Sequence, residues 1–574
     1  MNHGFRPSLP GARRTLIRQG VARNLRAAQL LWRNRATFFE RFAGSFRALQ
    51  ELPPRLRLKF FQRGLATTLA GAALLLAPGG ALPTHAAAIT VDGVVCTLAE
   101  AIDSANADDA GGNGCADGNG YDTIQLKADV LLEAPLPAIN SAILLAGNGH
   151  IVDGAGLFRV LEVSPAGYLA VQQADITGGN SGEGGGIHNL GILALLDCNI
   201  TGNSADEGGG LYNGAGASAV ISGGSFDSNI VYEGGGIFNL GFMSVSNADF
   251  IQNESFGDFE DIGGGGISNQ PGGTAVISGG QFLENFGASG GAIWNGGSMD
   301  VMGSTLTGNI SYDEFFGSGG GIRNTGVLTV TESTLDENLA FDGGGISSDG
   351  ALVVRRSTIS GNRADYSGGG IKVTGGTAEI TNSTVSGNET FVFDGGGIYA
   401  DAGAVELNNT TVTTNLAAGR GGGIFSDTSA GIVLNRNLVA GNSAADSGPE
   451  AFNSSLLTAD GYNVFGYSNV SGVTGFNPGT SDIVPGEPLP QVLDHALAQN
   501  GGPTRTHALP PGSPAIDTAP SGACAAGPVA GIDQRGASRS QNGDGAPGSD
   551  ECDAGAYEFD PFPVKRYFPL IFRN

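Results

Sequence analysis

Between Gly184 and Asn442 the apolar and polar positions form one phrase written ten times: three small residues, nine times Gly-Gly-Gly and once Gly290-Gly291-Ala292, followed by an aliphatic residue. The aliphatic positions are Ile187, Leu211, Ile237, Ile267, Ile293, Ile322, Ile346, Ile371, Ile398 and Ile424, spaced 24 to 30 residues apart. Each unit has a second landmark, an Asn three residues after an apolar position. These are Asn203, Asn229, Asn253, Asn285, Asn309, Asn338, Asn362, Asn388, Asn415 and Asn442. From aliphatic to Asn the distance is always 16 to 18 residues, whereas the return arc varies from 7 to 14. A constant arc and a variable one describe stacked coils with a single insertion-tolerant loop.

Within each unit, short runs rich in Val, Ile and Thr alternate with turns, as in Leu328–Val330 and Leu352–Val354. No helical periodicity separates them. The pattern predicts an all-β chain, a parallel β-helix, with the right-handed crossover that parallel connections favour. The Asn column then has a structural task, because Asn tolerates tight left-handed turns and its amide can bond to the coils above and below. A second column stands two residues after each aliphatic: Asn189, Asn213, Asn239, Asn269, Asn295 and Asn324, then Ser348, Val373, Ala400 and Ser426.

Strand alternation sends the intervening residue to the other side. That column reads His188, Tyr212, Phe238, Ser268, Trp294, Arg323, Ser347, Lys372, Tyr399 and Phe425, far richer in rings than the 7% aromatic chain. Acidic residues stand directly before the glycines at Glu183, Glu207, Glu233, Asp342 and Asp394. The expectation is a ligand face, with Tyr212, Phe238, Trp294, Tyr399 and Phe425 stacking on sugars or partner side chains beside a carboxylate edge able to hold Ca²⁺. The competing expectation is that the variable loops fold over these rings and bury them.

Composition sharpens the picture in one respect. Residues 1–63 carry 14 Lys/Arg and 2 Asp/Glu, whereas residues 64–574 carry 15 basic and 53 acidic side chains. So acidic a body repels nucleic acid and other polyanions. The stretch 64–91 has no charged side chain; its apolar run Leu65–Ala77 follows a basic segment and precedes Ala86-Ala87-Ala88. That order is a secretory signal, too short to span a membrane. Residues 1–88 are therefore assigned to a basic extension plus signal, and the chain is expected to be exported, without a transmembrane span in its mature part.

Residues 89–180 are read as a cap and first coils, 181–450 as the ten-coil array, 451–497 as terminal coils, 498–559 as a C-terminal domain and 560–574 as a tail. The run Cys96-Thr-Leu-Ala-Glu100-Ala with Asn106 and Asp122-Thr-Ile124 resembles the CSLREA region of exported bacterial β-helix proteins. It predicts a helix over 98–106 covering the open end of the stack, and a first strand over 123–126. Asn500-Gly-Gly-Pro-Thr, His507, Pro514-Ala-Ile-Asp517, Asp533-Gln-Arg-Gly536 and Cys552-Asp-Ala-Gly-Ala-Tyr-Glu558 resemble the choice-of-anchor Q domain. The Gly-Gly-Gly and Phe-x-x-Asn phrases are similar to repeats of chlamydial polymorphic outer-membrane proteins, which are surface adhesins. For an exported chain the local disulfide pairings are Cys96 with Cys115 and Cys524 with Cys552, leaving Cys198 as a packed thiol. Asn542, Asp544 and Glu551 fall at calcium-loop spacing, with an ordinary turn as the alternative.

The leading functional expectation is a secreted or cell-surface rod presenting an elongated, adhesin-like face to glycans or surface partners, without catalysis and with no cofactor beyond Ca²⁺. Two other readings stay open. One is a polysaccharide lyase or glycoside hydrolase on the same scaffold, although no carboxylate pair stands out among so many acids. The other is a purely structural stalk, which a buried ring column would favour.

Overall fold

The computed structural model describes residues 87–560, apart from 258–262, 312–316, 460, 526 and 540–550. The expected signal, most of the tail, and Asn542 and Asp544 lie outside these residues. The rest is a parallel β-solenoid of about 13 turns, 45% strand and 4% helix.

One coil illustrates all of them. Ser204–Glu207 forms a strand, Gly208-Gly209-Gly210 turns the chain, and Leu211–Asn213 and Ser218–Ser222 give two strands of the largest sheet. Ser225–Asp227 enters a second sheet, and a turn at Asn229 leads to Ile230–Glu233, which stacks on Ser204–Glu207 in the third. The three sheets hold 26, 14 and 11 strands, and every pairing within them is parallel. Register is conserved from coil to coil: Ile187 stands on Leu211, Leu211 on Ile237 and Ile237 on Ile267. These aliphatics are fully buried and form one continuous core with Leu193, Ile200, Phe226 and Phe250.

The glycine phrase has a steric cause. In nine of the ten units the first glycine has positive φ (Gly208 +63°, Gly234 +70°), a left-handed turn that glycine adopts without strain; Gly264 is the exception. The third lies against the next coil, where a Cβ on Gly210 would sit 2.6 Å from the Gly236 carbonyl oxygen. Stacking at a strand separation of about 4.8 Å leaves no room for a side chain there.

The corners are polar and satisfied. Along the Asn203 column each side-chain oxygen accepts from the preceding Asn's backbone N–H and Nδ2, as Asn229 does from Asn203 at 3.1 and 3.0 Å. The ladder ends at Glu450, whose carboxylate accepts from Asn442 Nδ2 (2.6 Å), Asn442 N (3.2 Å) and Gly441 N (2.8 Å). The Asn189 column runs side chain to side chain, each Nδ2 donating to the next Oδ1, as far as Asn324, which donates to Ser348 Oγ at 3.0 Å. A third ladder, not read from the sequence, passes along Ser304, Ser333, Ser357 and Ser383 and resumes at Asn437 and Asn463.

A helix, Leu98–Ala107, caps the first coils, buries Leu98, Ala101, Ile102 and Ala105 in the core, and starts with a capping box between Thr97 and Glu100. The first described strand is Ala87–Val91, ahead of the expected one, and pairs with Tyr121–Leu126. Disulfides join Cys96 to Cys115 and Cys524 to Cys552, while Cys198 is buried and unoxidised.

The described residues of the segment 500–539, together with 551–558, return along the side of the array. Gln534 Nε2 donates to Thr358 Oγ1 (3.0 Å) and its Oε1 accepts from Thr384 Oγ1 (2.7 Å). His507 meets Ser386 Oγ at 2.8 Å, and the fully buried Arg539 reaches Asn382 (3.1 Å) and Glu558 (3.2 Å). These contacts fix the C-terminal segment to coils about 120 to 180 residues earlier in the chain.

Candidate functional site

The residues expected to form a ligand face do stand in register, one per coil, from His188 to Phe425 and on to Phe452. The rings stack on one another. Tyr212 and Phe238 have centroids 5.5 Å apart at 9°, Tyr399 and Phe425 are 4.9 Å apart, and Phe425 and Phe452 are 5.5 Å apart. Solvent does not reach them: Tyr212, Phe238, Trp294 and Phe425 are only 1 to 8% exposed. Tyr399 and Phe452 are half-buried, and the Tyr399 hydroxyl donates to Asp427 at 3.3 Å.

This corrects the ligand-face expectation for Tyr212, Phe238, Trp294 and Phe425. Alternation placed them correctly off the aliphatic core, but two things then cover them. Where rings are consecutive, as at Tyr212–Phe238 and Tyr399–Phe425–Phe452, strand separation matches ring stacking and each ring shields the next. The glycine turn also folds back: a Cβ on Gly395 would lie 2.7 Å from Tyr399 Cβ, and one on Gly296 would lie 2.4 Å from the Trp294 ring. The column is a second, external core.

The acids divide by position. In the later coils they are neutralised: Lys372 Nζ lies 2.7 Å from Asp342, and Arg420 Nη2 lies 2.7 Å from Asp394. The Arg420 guanidinium also covers the Phe425 and Phe452 rings, 4.8 Å from each centroid. In the earlier coils Glu183, Glu207 and Glu233 stand directly in register, and among the described residues no lysine or arginine forms an ion pair with them. Burial, then the charge of Glu183, pushes the Glu207 carboxyl above its ordinary range, and burial followed by Glu207 does the same to Glu233. His188 Nε2 is 3.4 Å from Glu183, and burial holds the imidazole below its usual pKa, favouring the neutral form. Among the described residues no group of three or more His, Cys, Asp or Glu is arranged to hold a metal ion. Glu551, of the candidate calcium loop, lies in a two-residue strand paired with Ala519–Pro520.

The exposed rings lie elsewhere, on the third sheet. There the usual alternation is inverted. Small residues face inward at Ser255, Gly287, Ser311, Ala340, Ala364, Thr390 and Ala417, all buried. Large apolar residues occupy the outer positions beside them, among them Ile230, Tyr232, Phe256, Phe286, Ile310, Leu339, Phe341, Tyr366, Phe391 and Leu416. Phe256 is 53% and Phe391 48% exposed. Phe341 and Tyr366 stack at 5.1 Å, and Tyr366 and Phe393 lie 4.1 Å apart. A signal for this face was present in the sequence: a ring three residues after the ladder Asn, as in Asn229/Tyr232, Asn253/Phe256, Asn338/Phe341 and Asn388/Phe391. The arc of variable length in which those residues lie obscures their spacing.

The outer side of the third sheet thus exposes large apolar side chains with the charged Glu254, Arg363 and Glu389 standing among them. Among the described residues no helix is long and apolar enough to cross a membrane. Compared with known proteins, the chain matches no protein family, no curated protein and no solved structure.

Proposed function

We propose that this chain acts outside the cytoplasm as a rigid, non-catalytic rod whose third sheet is an adhesin-like binding face. The observation that carries this reading is the inverted alternation from Phe256 to Leu416, which sets small side chains inside and leaves large apolar ones outside, with Glu254, Arg363 and Glu389 among them. Parallel pairing of every strand with the next and the corner ladders make such a face stiff, so its groups are pre-positioned and lose little entropy on contact. The secretory pattern before residue 88 supports export. The likeness of the two ends to CSLREA and choice-of-anchor Q regions, and of the repeats to chlamydial surface adhesins, supports placement at the cell surface.

Glycans or surface proteins are the partner classes this reading names. Its test is a panel of immobilised glycans and cell-surface preparations incubated with the purified full chain, with binding and cleavage scored together. Retention that is lost on Tyr366→Ser, with no cleavage product, is the expected result. Cleavage of any glycan would overturn the non-catalytic assignment in favour of a lyase or hydrolase. A stalk without a ligand is the second reading, favoured specifically by burial of the Tyr212–Phe238 and Tyr399–Phe452 stacks. Absence of all retention would select it.

A further inference from the structure

Resting on that binding-face reading, we propose that the partner of the third sheet is a second copy of this chain, packed face to face and antiparallel. Three observations lead there.

The first is the orientation of the rings. Phe341, Tyr366 and Phe393 spend their faces on one another, so they offer mainly edges to a partner. A sugar stacks on a ring face, whereas a second apolar sheet packs against edges and aliphatic groups alike.

The second is the arrangement of charge. The outer column passes in register through Ile230, Glu254, Phe286, Ile310, Leu339, Arg363 and Glu389. Glu254 therefore lies two coils before Ile310 and Arg363 two coils after it. A two-fold axis along the strand direction at Ile310 reverses the stack and sets Glu254 of each copy opposite Arg363 of the other. Arg363 suits this role, being 61% exposed and held to Glu389 only at 3.6 Å.

The third is the match of rings under the same operation. It brings the coil of Phe256 opposite the coil of Tyr366, and the coil of Tyr232 opposite that of Phe391, so that ring meets ring across the axis. A self-complementary patch of this kind is what an isologous contact requires. Eight coils at about 4.8 Å, each contributing about 10 Å of strand, give about 400 Å² per copy and bury on the order of 800 Å² in total, below the size of standard specific interfaces. The contact is accordingly weak for one pair of rods and strengthened when many copies are displayed together.

The test is sedimentation of the full chain from about 1 to 100 µM, the range expected of a small interface. Wild type should pass from monomer to dimer. Glu254→Arg and Arg363→Glu should each weaken dimerisation about tenfold or more, and the double variant should regain it. Within one chain the two residues are four coils, about 19 Å, apart, so mutual rescue can arise only between copies. Thermal unfolding of each variant checks that the fold is retained. A wild type that stays monomeric at 100 µM, or a double variant no better than the single ones, overturns the proposal. In that event the glycan and cell-surface panel separates the two ideas. Retention lost on Tyr366→Ser keeps the binding face with a different partner, and no retention removes both.

Discussion

Asn338 is one rung of a buried ladder, and its removal gives the sharpest test of how this rod holds together. Its Oδ1 accepts from Asn309 N at 3.0 Å and Asn309 Nδ2 at 2.8 Å. Its Nδ2 donates to Leu306 O at 3.0 Å and Asn362 Oδ1 at 2.8 Å. Asn338→Ala deletes all four bonds and leaves two donors on Asn309 without an acceptor, at a site that solvent does not reach. A buried group left unsatisfied costs about 1–3 kcal/mol, and carbonyl acceptors suffer less than donors. The two orphaned donors dominate, for a loss of about 3–5 kcal/mol. Because solenoids unfold locally as well as globally, the assay is amide hydrogen exchange alongside urea unfolding. The Asn309 N–H should lose protection by two to three orders of magnitude, together with its neighbours in the adjoining coils. Asn199→Ala, an exposed Asn of the same array, should change stability by less than about 0.5 kcal/mol. Unchanged protection at Asn309, or a loss below about 1 kcal/mol, would refute the claim that the amide ladder fastens coil to coil.

Other predictions follow from the same geometry. Burial raises the Glu450 carboxyl from 4.5 to about 7, so between those values the folded chain holds a proton that the unfolded chain has released. Stability contributed by this group therefore falls as pH rises from about 4.5 to 7. Glu450→Gln should flatten that part of the profile, measured as the difference in urea midpoint between pH 5 and pH 8. Phe425→Ala should destabilise by about 3–5 kcal/mol, since its ring is 1% exposed between Tyr399 and Phe452, while leaving retention on the surface panel intact. Loss of retention with unchanged stability would restore the ring column as a ligand face. Gly210→Ala forces a methyl against the Gly236 carbonyl and should lower the thermal midpoint by several degrees, whereas alanine at the exposed Gly216, with open space around it, should act only through its positive φ.

The coil plan was legible because stacking is local physics repeated. Ile187 to Ile424 recur at one place in each coil, so a shared register follows once strands pair in parallel, and the Asn203 and Asn189 columns follow with it. The cysteine pairs lie 19 and 28 residues apart, close enough for local pairing to be read directly. The site was less legible. Alternation assigned Tyr212 and Phe238 to the side away from the aliphatics, but it carries no information about what else occupies that side. The inverted strands Leu339–Asp342 and Glu389–Thr390 hide their pattern in two to four residues, too few for a periodicity to register.

By itself the sequence determined the architecture, an all-β stack of parallel coils with Asn corners and glycine turns. Each of those features depends on residues a fixed distance apart along the chain. Only the tertiary structure decided which rings meet solvent. Exposure depends on the coil's own turns and on the coils above and below, so Phe425 is hidden and Phe256 is open although both are rings on outward positions. It also decided that the described C-terminal residues after 500 lie along the array, through partners such as Gln534 and Ser357 that stand 177 residues apart, a separation at which no repeat or local pattern carries a signal.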